Sequence, residues 1–150
     1  MYKRQIIYAT DWSRVPNQRG LDEGKIYAWN IDGSNVEGWP IETKGYSFSS
    51  TTIGDINNDG SNEIVVGFKH WNYPLEPDEY GIYVYDKSGQ VLDGWPQLNR
   101  KEVWSNPVLG DFDNDNELEI VVSDQGEPAN TYMFNHCLLY TSDAADDYSV

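Results

Sequence analysis

Apolar residues come in short clusters along this chain, and runs rich in Asp, Asn, Gly, Ser and Pro separate them. Ile64-Val65-Val66 and Ile120-Val121-Val122 are continuous apolar runs of strand length. The segments 25–30, 80–86 and 131–135 alternate aromatic with aliphatic or polar residues, whereas 47–54 and 103–110 are small and β-branched. No segment keeps a 3.6-residue apolar period over helical length. Asp32-Gly33 and Ser88-Gly89 are turn signals, because Gly takes a positive φ at little cost. The pattern predicts an all-β chain of short strands.

The clusters recur at a fixed distance. Ile26 through Pro40 aligns without a gap on Ile82 through Pro96, a shift of 56 positions. The same shift carries Gly54-Asp55 onto Gly110-Asp111 and Glu63-Ile64-Val65-Val66 onto Glu119-Ile120-Val121-Val122. Partial copies flank this pair: Ile6 through Ala9 looks like 64–67, and 131–135 looks like 82–86. Each unit reads as four strands, placed at 47–54, 63–68, 80–86 and 91–98 in the most complete copy. Four short strands repeated at a 56-residue period predict a partial β-propeller of four-stranded antiparallel blades. One full blade covers about 47–97, with a partial blade on each side of it. Small residues in the first strand suit the crowded innermost position. Trp39 and Trp95 recur with the repeat and read as packing residues. Trp29 and Trp104 stand at the positions of Tyr85 and Phe48, again a core reading.

Charge narrows the function. The chain of 150 residues holds 10 Lys plus Arg against 25 Asp plus Glu, a net charge of −15. That argues against a nucleic-acid binder, which needs basic residues to neutralise phosphates, and against a surface that seeks anionic lipid. No apolar run approaches the roughly 20 residues of a membrane-spanning helix. A single Cys excludes an internal disulfide and a cysteine-built metal site.

The two ends break the pattern. The stretch from Cys137 to Asp147 back-translates to a transposon-end sequencing adapter, and Met1 through Gln5 to the end of the same adapter on the opposite strand. We therefore expect 1–5 and 137–150 to be adapter-derived and 6–136 to be an internal piece of a longer reading frame. A signal peptide would not be observable in such a piece. Setting both ends aside moves the net charge only from −15 to −14, while the single Cys disappears.

Part of the acidity is organised. The first and second strands of each unit are joined by Asp55-Ile56-Asn57-Asn58-Asp59-Gly60-Ser61-Asn62-Glu63 and by Asp111-Phe112-Asp113-Asn114-Asp115-Asn116-Glu117-Leu118-Glu119. Oxygen-bearing side chains fall at positions 1, 3, 5 and 9 of each loop. Ca²⁺ takes six to eight oxygen ligands from carboxylates, amides, carbonyls and water. Spacing by two in a tight loop aims alternate side chains at one centre. Position 7, Ser61 or Glu117, would add its backbone carbonyl. Position 6 needs a positive φ, which Gly60 supplies and Asn116 tolerates. An EF-hand opens similarly but requires Glu at position 12 and flanking helices. Position 12 here is Val66 or Val122, inside a predicted strand. We therefore expect two Ca²⁺ sites, the second tighter because it has four carboxylates against three.

The segment 49–67, with its small first strand, acidic loop and Ile-Val-Val-Gly ending, resembles an FG-GAP/VCBS-type repeat. Such repeats form the propellers of integrin α-subunits and of many bacterial secreted proteins. The resemblance covers nearly all of 6–136. It implies Ca²⁺ at Asp55, Asn57, Asp59, Ser61 and Glu63, and at Asp111, Asp113, Asp115, Glu117 and Glu119. It also implies a seven-bladed ring in many members. Asn116 in place of Gly departs from the pattern, and the Gly-Trp-Pro strand resembles bacterial variants more than integrins.

In a blade the acidic loops lie at one end and the longer loops 10–24, 69–79 and 124–130 at the other. These longer loops carry Trp12, Arg14, Trp71 and Tyr73. Exposed aromatics beside Asn, Asp and Arg suit sugar stacking or a protein hot spot. The expected function is a calcium-stabilised extracellular or cell-surface module, bacterial and secreted, for binding carbohydrate or protein. The ion would rigidify rather than catalyse. The alternative is the propeller part of a secreted polysaccharide lyase or hydrolase. No catalytic constellation supports an enzyme: neither a Ser-His-Asp order nor a nucleophile elbow is present. An open arc would also leave strand edges and apolar sheet faces uncovered, so 6–136 alone is expected to aggregate or order poorly.

Overall fold

A computed structural model describes residues 7–14, 22–43, 47, 49–68, 81–97 and 103–135. The adapter-like segments 1–5 and 137–150 lie outside them. Among the described residues every regular element is a strand: β1 (Ile7–Arg14), β2 (Asp22–Trp29), β3 (Ile41–Thr43), β4 (Thr52–Gly54), β5 (Glu63–Phe68), β6 (Gly81–Tyr85), β7 (Val108–Gly110), β8 (Glu119–Ser123) and β9 (Thr131–Phe134). They form three antiparallel sheets ordered β1-β2-β3, β4-β5-β6 and β7-β8-β9.

The sheets stack face to face, and two apolar clusters hold the stack. Ile26, Ala28 and Trp39 of the first sheet pack with Ile64, Val66, Phe68 and Tyr85 of the second. Val65, Ile82 and Val84 on the opposite face of that second sheet pack with Val103, Ile120 and Val122 of the third. Every residue of β5 is buried. This explains its unbroken apolar run: a strand covered on both faces has no solvent side to make polar. Gly67 belongs to the close approach between sheets, since a Cβ there would sit 2.6 Å from Val103 Cγ1. The first strands of the second and third sheets are laced at their edges. The Ser50 N–H donates to Asn106 Oδ1 at 2.7 Å, and the Thr52 hydroxyl donates to the Pro107 carbonyl at 2.6 Å.

The 56-residue period is present in the backbone itself. The Ser49 hydroxyl donates to the Gly67 carbonyl and accepts the Gly67 N–H, and Ser105 does the same with Ser123. Isolated bridges Trp29–Asn35 and Tyr85–Val91 also fall at equivalent places. Positive φ recurs at Gly33 and Gly89, and at Gly38 and Gly94.

Three expectations need correction. The fourth strand is not regular. Leu92 donates to the Val84 carbonyl at 2.8 Å, and Ile82 exchanges both backbone bonds with Gln97. Between these points the turn 92–95 lifts the chain off β6, because Gly94 sits at φ +84° and Pro96 has no N–H to give a ladder. The lifted tryptophans pack: Trp39 is buried and donates its Nε1–H to the Lys87 carbonyl of the next sheet at 3.0 Å, and Trp95 meets Phe134 edge-on at 5.5 Å. The second correction concerns 10–24. Only 15–21 connects the strands, since β1 and β2 pair along their full length from Ile7–Trp29 to Arg14–Asp22. Tyr8, Thr10 and Trp12 are strong β-formers at alternate positions, and the hairpin extends through them. Trp104 is also no core residue. It is 37% exposed, because the extended chain turns Val103 inward and its successor outward.

Candidate metal centre

The two acidic loops join β4 to β5 and β7 to β8, at the same end of their sheets. Each is folded by its own carboxylates. Asp55 Oδ1 accepts the Asp59 N–H at 3.0 Å, and its Oδ2 accepts the Gly60 N–H at 3.0 Å. Asp59 Oδ1 accepts the Ser61 N–H at 2.7 Å. In the second loop Asp111 accepts the N–H groups of Asp115 and Asn116, both at 3.1 Å, and Asp115 accepts that of Glu117 at 2.8 Å. Asp and Asn at alternate positions satisfy the amides of a loop that has no ladder partner. Each carboxylate oxygen keeps a further lone pair for a cation.

Position 6 is left-handed in both loops, with φ +85° at Gly60 and +69° at Asn116. Position 4 is left-handed too, at Asn58 and Asn114. Sequence reasoning passed over this pair. The signal was there, since Asn recurs at both positions and is the residue that tolerates this region after Gly.

Glu63 and Glu119 close the loops from beneath. Both are 1% exposed. Glu63 Oε2 accepts the Ile56 N–H at 2.8 Å, and Glu119 Oε2 accepts the Phe112 N–H at 2.7 Å. The other oxygen, Oε1 of Glu119, is buried and makes no hydrogen bond. Burial pushes the Glu63 carboxyl up, the nearby Asp59 and Asp55 add to this, and the Ile56 N–H partly offsets it. Asp59 moves the other way, held below its ordinary value chiefly by the Ser61 N–H.

The loops differ at position 3. Asn57 accepts the Asp59 N–H and donates its own Nδ2–H to Asp59 Oδ2 at 3.2 Å. Asp113 accepts the Asp115 N–H at 3.2 Å but has no amide to donate. Carboxylate oxygens of Asp111, Asp113 and Asp115 thus lie within 4.8 Å of one another, all exposed, in an arrangement that can hold a metal ion. Three like charges at that separation repel.

The proposed ligand-contacting residues fare differently. Trp12 and Arg14 lie on β1, opposite Gly24 and Asp22, rather than in a loop. Trp71 and Tyr73 lie outside the described residues. The turn after β8 contains a hub that sequence reading missed. Asp124 accepts the backbone N–H groups of Gly126 and Asn130 and the Tyr132 hydroxyl. Burial pushes this carboxyl up, but those donors outweigh it and hold it far below the usual carboxylate range.

No family model, no curated protein and no solved structure matches the chain. No helix among the described residues is long and apolar enough to cross a membrane.

Proposed function

We propose that the chain is part of a calcium-stabilised, propeller-type module of extracellular or cell-surface proteins, built from FG-GAP/VCBS-like blades and used for binding rather than catalysis. The observation that carries this reading is the pairing of an acidic triad with a buried carboxylate oxygen, Glu119 Oε1, that has no protein partner. Leaving a charged acceptor buried and unpaired costs about 1–3 kcal/mol or more, and a cation in the loop would remove that cost. Asp111, Asp113, Asp115 and Glu119 would hold the ion by their carboxylates and Glu117 by its carbonyl. Asp55, Asn57, Asp59, Ser61 and Glu63 would serve the first loop.

The ion's part is structural. A cation that binds the folded chain alone stabilises it by mass action, and it would relieve the repulsion among the carboxylates. Sites with this many oxygen ligands fill at the millimolar calcium found outside cells, which is the basis for the extracellular assignment. The face-to-face stacking of antiparallel sheets at a 56-residue period supports blades. A carbohydrate or protein ligand would engage the end of the sheets away from the acidic loops, where Arg14 ends β1; Trp71 and Tyr73, outside the described residues, are the aromatic candidates for that contact.

Isothermal titration of calcium into chelator-stripped protein tests the metal reading. Two binding events, reduced to one by Asp111→Ala, support it; no heat and no change in melting temperature on adding calcium overturn it. For the ligand, glycan-array binding that disappears in Trp71→Ala would support a sugar, and binding unchanged in that variant would move the contact elsewhere.

A further inference from the structure

The dipeptide Asp-Gly occurs three times, at Asp32-Gly33, Asp59-Gly60 and Asp93-Gly94. In this pair an aspartyl carboxyl carbon can close a five-membered ring on the next backbone nitrogen, and glycine has no Cβ to obstruct the approach. The three pairs are held differently. Gly33 is the last residue of a turn, and its N–H donates to the Asn30 carbonyl at 2.9 Å. Asp32 Oδ1 accepts the Ser34 N–H at 3.0 Å and the Ser34 hydroxyl at 2.6 Å. The Gly60 N–H donates to Asp55 Oδ2 at 3.0 Å, and Asp59 Oδ1 accepts the Ser61 N–H at 2.7 Å. In both pairs the nitrogen and the carboxyl are tied to other groups.

Asp93-Gly94 sits one place earlier in its turn. The Trp95 N–H closes that turn on the Leu92 carbonyl at 3.1 Å. Asp93 and Gly94 are therefore its two central residues, and the closing bond of a β-turn uses neither central amide. Among the described residues, the Gly94 N–H and the Asp93 carboxylate have no hydrogen-bond partner. Both residues are exposed. This openness belongs to the turn rather than to the end of the stack. The first copy carries the same turn at Val36-Glu37-Gly38-Trp39, closed by the Trp39 N–H on the Val36 carbonyl at 3.1 Å. There the next sheet is in place, since a Cβ on Gly38 would sit 2.6 Å from the Ser88 carbonyl oxygen. Glu37 and Gly38 are exposed all the same, and among the described residues the Gly38 N–H again has no partner. The first copy has Glu where the second has Asp, and a Glu side chain would have to close a larger ring, which is far slower.

We propose that Asp93-Gly94 is a self-modification site, at which the chain converts aspartate to isoaspartate through a succinimide. The Gly94 nitrogen attacks Cγ of the protonated Asp93 carboxyl. The N–Cγ bond forms, the C–OH bond breaks, and one water leaves with the hydroxyl and the amide proton. Solvent water then opens the ring. Cleavage of the bond between the nitrogen and the Asp93 α-carbonyl carbon frees an α-carboxylate and leaves the chain running through the side chain. Nothing is oxidised or reduced, the mass is unchanged, and the backbone gains one methylene. The same turn carries Trp95, which meets Phe134 of the third sheet edge-on at 5.5 Å. Lengthening the backbone beside it displaces that ring, so conversion weakens the contact between the second and third sheets. The inference does not rest on the calcium reading.

Ageing the full chain for several days at body temperature without calcium, followed by trypsin digestion, tests the proposal. Cleavage after Lys and Arg places the three pairs in separate peptides, 26–44, 45–69 and 88–100. An isoaspartyl methyltransferase with a labelled methyl donor then counts isoaspartate in each. Every hydrogen bond that must break slows ring closure by about fivefold, so peptide 88–100 should gain label about fivefold faster than either of the others, or more. In urea the three should convert at similar rates, because the bonds that separate them are gone. Asp93→Glu copies the first repeat and should remove the label from 88–100 alone. The aged parent chain should melt below the fresh one, and aged Asp93→Glu should not. Native rates that are equal, or slower at 88–100 than at either other peptide, overturn the proposal. So does a lead of 88–100 that persists unchanged in urea, or label that survives there in Asp93→Glu. An unchanged melt of the converted chain overturns the link to the Trp95 contact.

Discussion

The second and third sheets are built from one pattern, yet they differ at aligned positions that bear on burial and on the loop. Ile56 is replaced by Phe112, Asn57 by Asp113 and Phe68 by Asp124. Ile56 and Phe68 are buried, being covered by the third and first sheets respectively. Phe112 is half exposed, and Asp124 closes a turn with its own hydrogen bonds. The hydrogen-bond frame of the acidic loop is nevertheless the same in both. Local polar geometry therefore follows the loop sequence, while the burial of the side chains around it follows what lies against each sheet.

The largest effect should come from the position beside the first loop aspartate. Ile56→Ala should cost about 2–5 kcal/mol through lost burial and a residual cavity, whereas Phe112→Ala should stay within about 0.5 kcal/mol. Urea unfolding midpoints compare the two, and equal losses would break the contrast. The loops themselves come next. Asp113→Asn removes a carboxylate and supplies the amide that Asn57 has, so the second loop should lose about tenfold in calcium affinity, roughly 1.4 kcal/mol, and approach the first. Calorimetry on the variant measures this, and an unchanged second site would show that charge count does not rank the loops.

Smaller effects distinguish the turn residues. Gly60→Ala should cost about 1 kcal/mol, since a Cβ is unfavourable at φ +85° even though nothing lies within 4 Å of it. Gly60→Asn should cost only a few tenths, because Asn already occupies this conformation at position 6 of the second loop. Melting temperatures of the pair test this. The smallest effect is the acid response of Asp124. Its folded pKa is depressed. Its contribution is therefore complete above the unfolded value of about 3.9 and is lost as pH falls through the folded value. After solvent screening this amounts to a few tenths of a kcal/mol. Stability followed below about pH 4 should show a shallower acid slope in Asp124→Asn than in the parent chain, and identical slopes would remove Asp124 from the acid response.

Much of the candidate site was legible because its information is local. Asp55, Asp59 and Gly60, and their partners Asp111, Asp115 and Asn116, bond within five residues of one another, so spacing alone carries the loop. The left-handed φ at position 6 followed from residue type in the same way. Asn58 and Asn114 were equally readable and were passed over. Trp12 and Arg14 were misplaced for the opposite reason. Their position depends on how far β1 pairs with β2, and pairing length is fixed by two segments acting together. The fourth strand was half right: its bridges repeat, but Gly94 and Pro96 interrupt it.

By itself, the sequence determined the all-β class, the 56-residue period and the chemistry of two oxygen-rich loops, because strand alternation, turn residues and ligand spacing are short-range properties. Only the tertiary structure decided that β5 is buried on both faces, that Glu63 and Glu119 lie beneath their loops, and that Val108 and Met133 are exposed where Val84 is sealed. Burial is a property of what packs against a residue, and identical apolar patterns in neighbouring repeats acquire different environments according to their place in the stack.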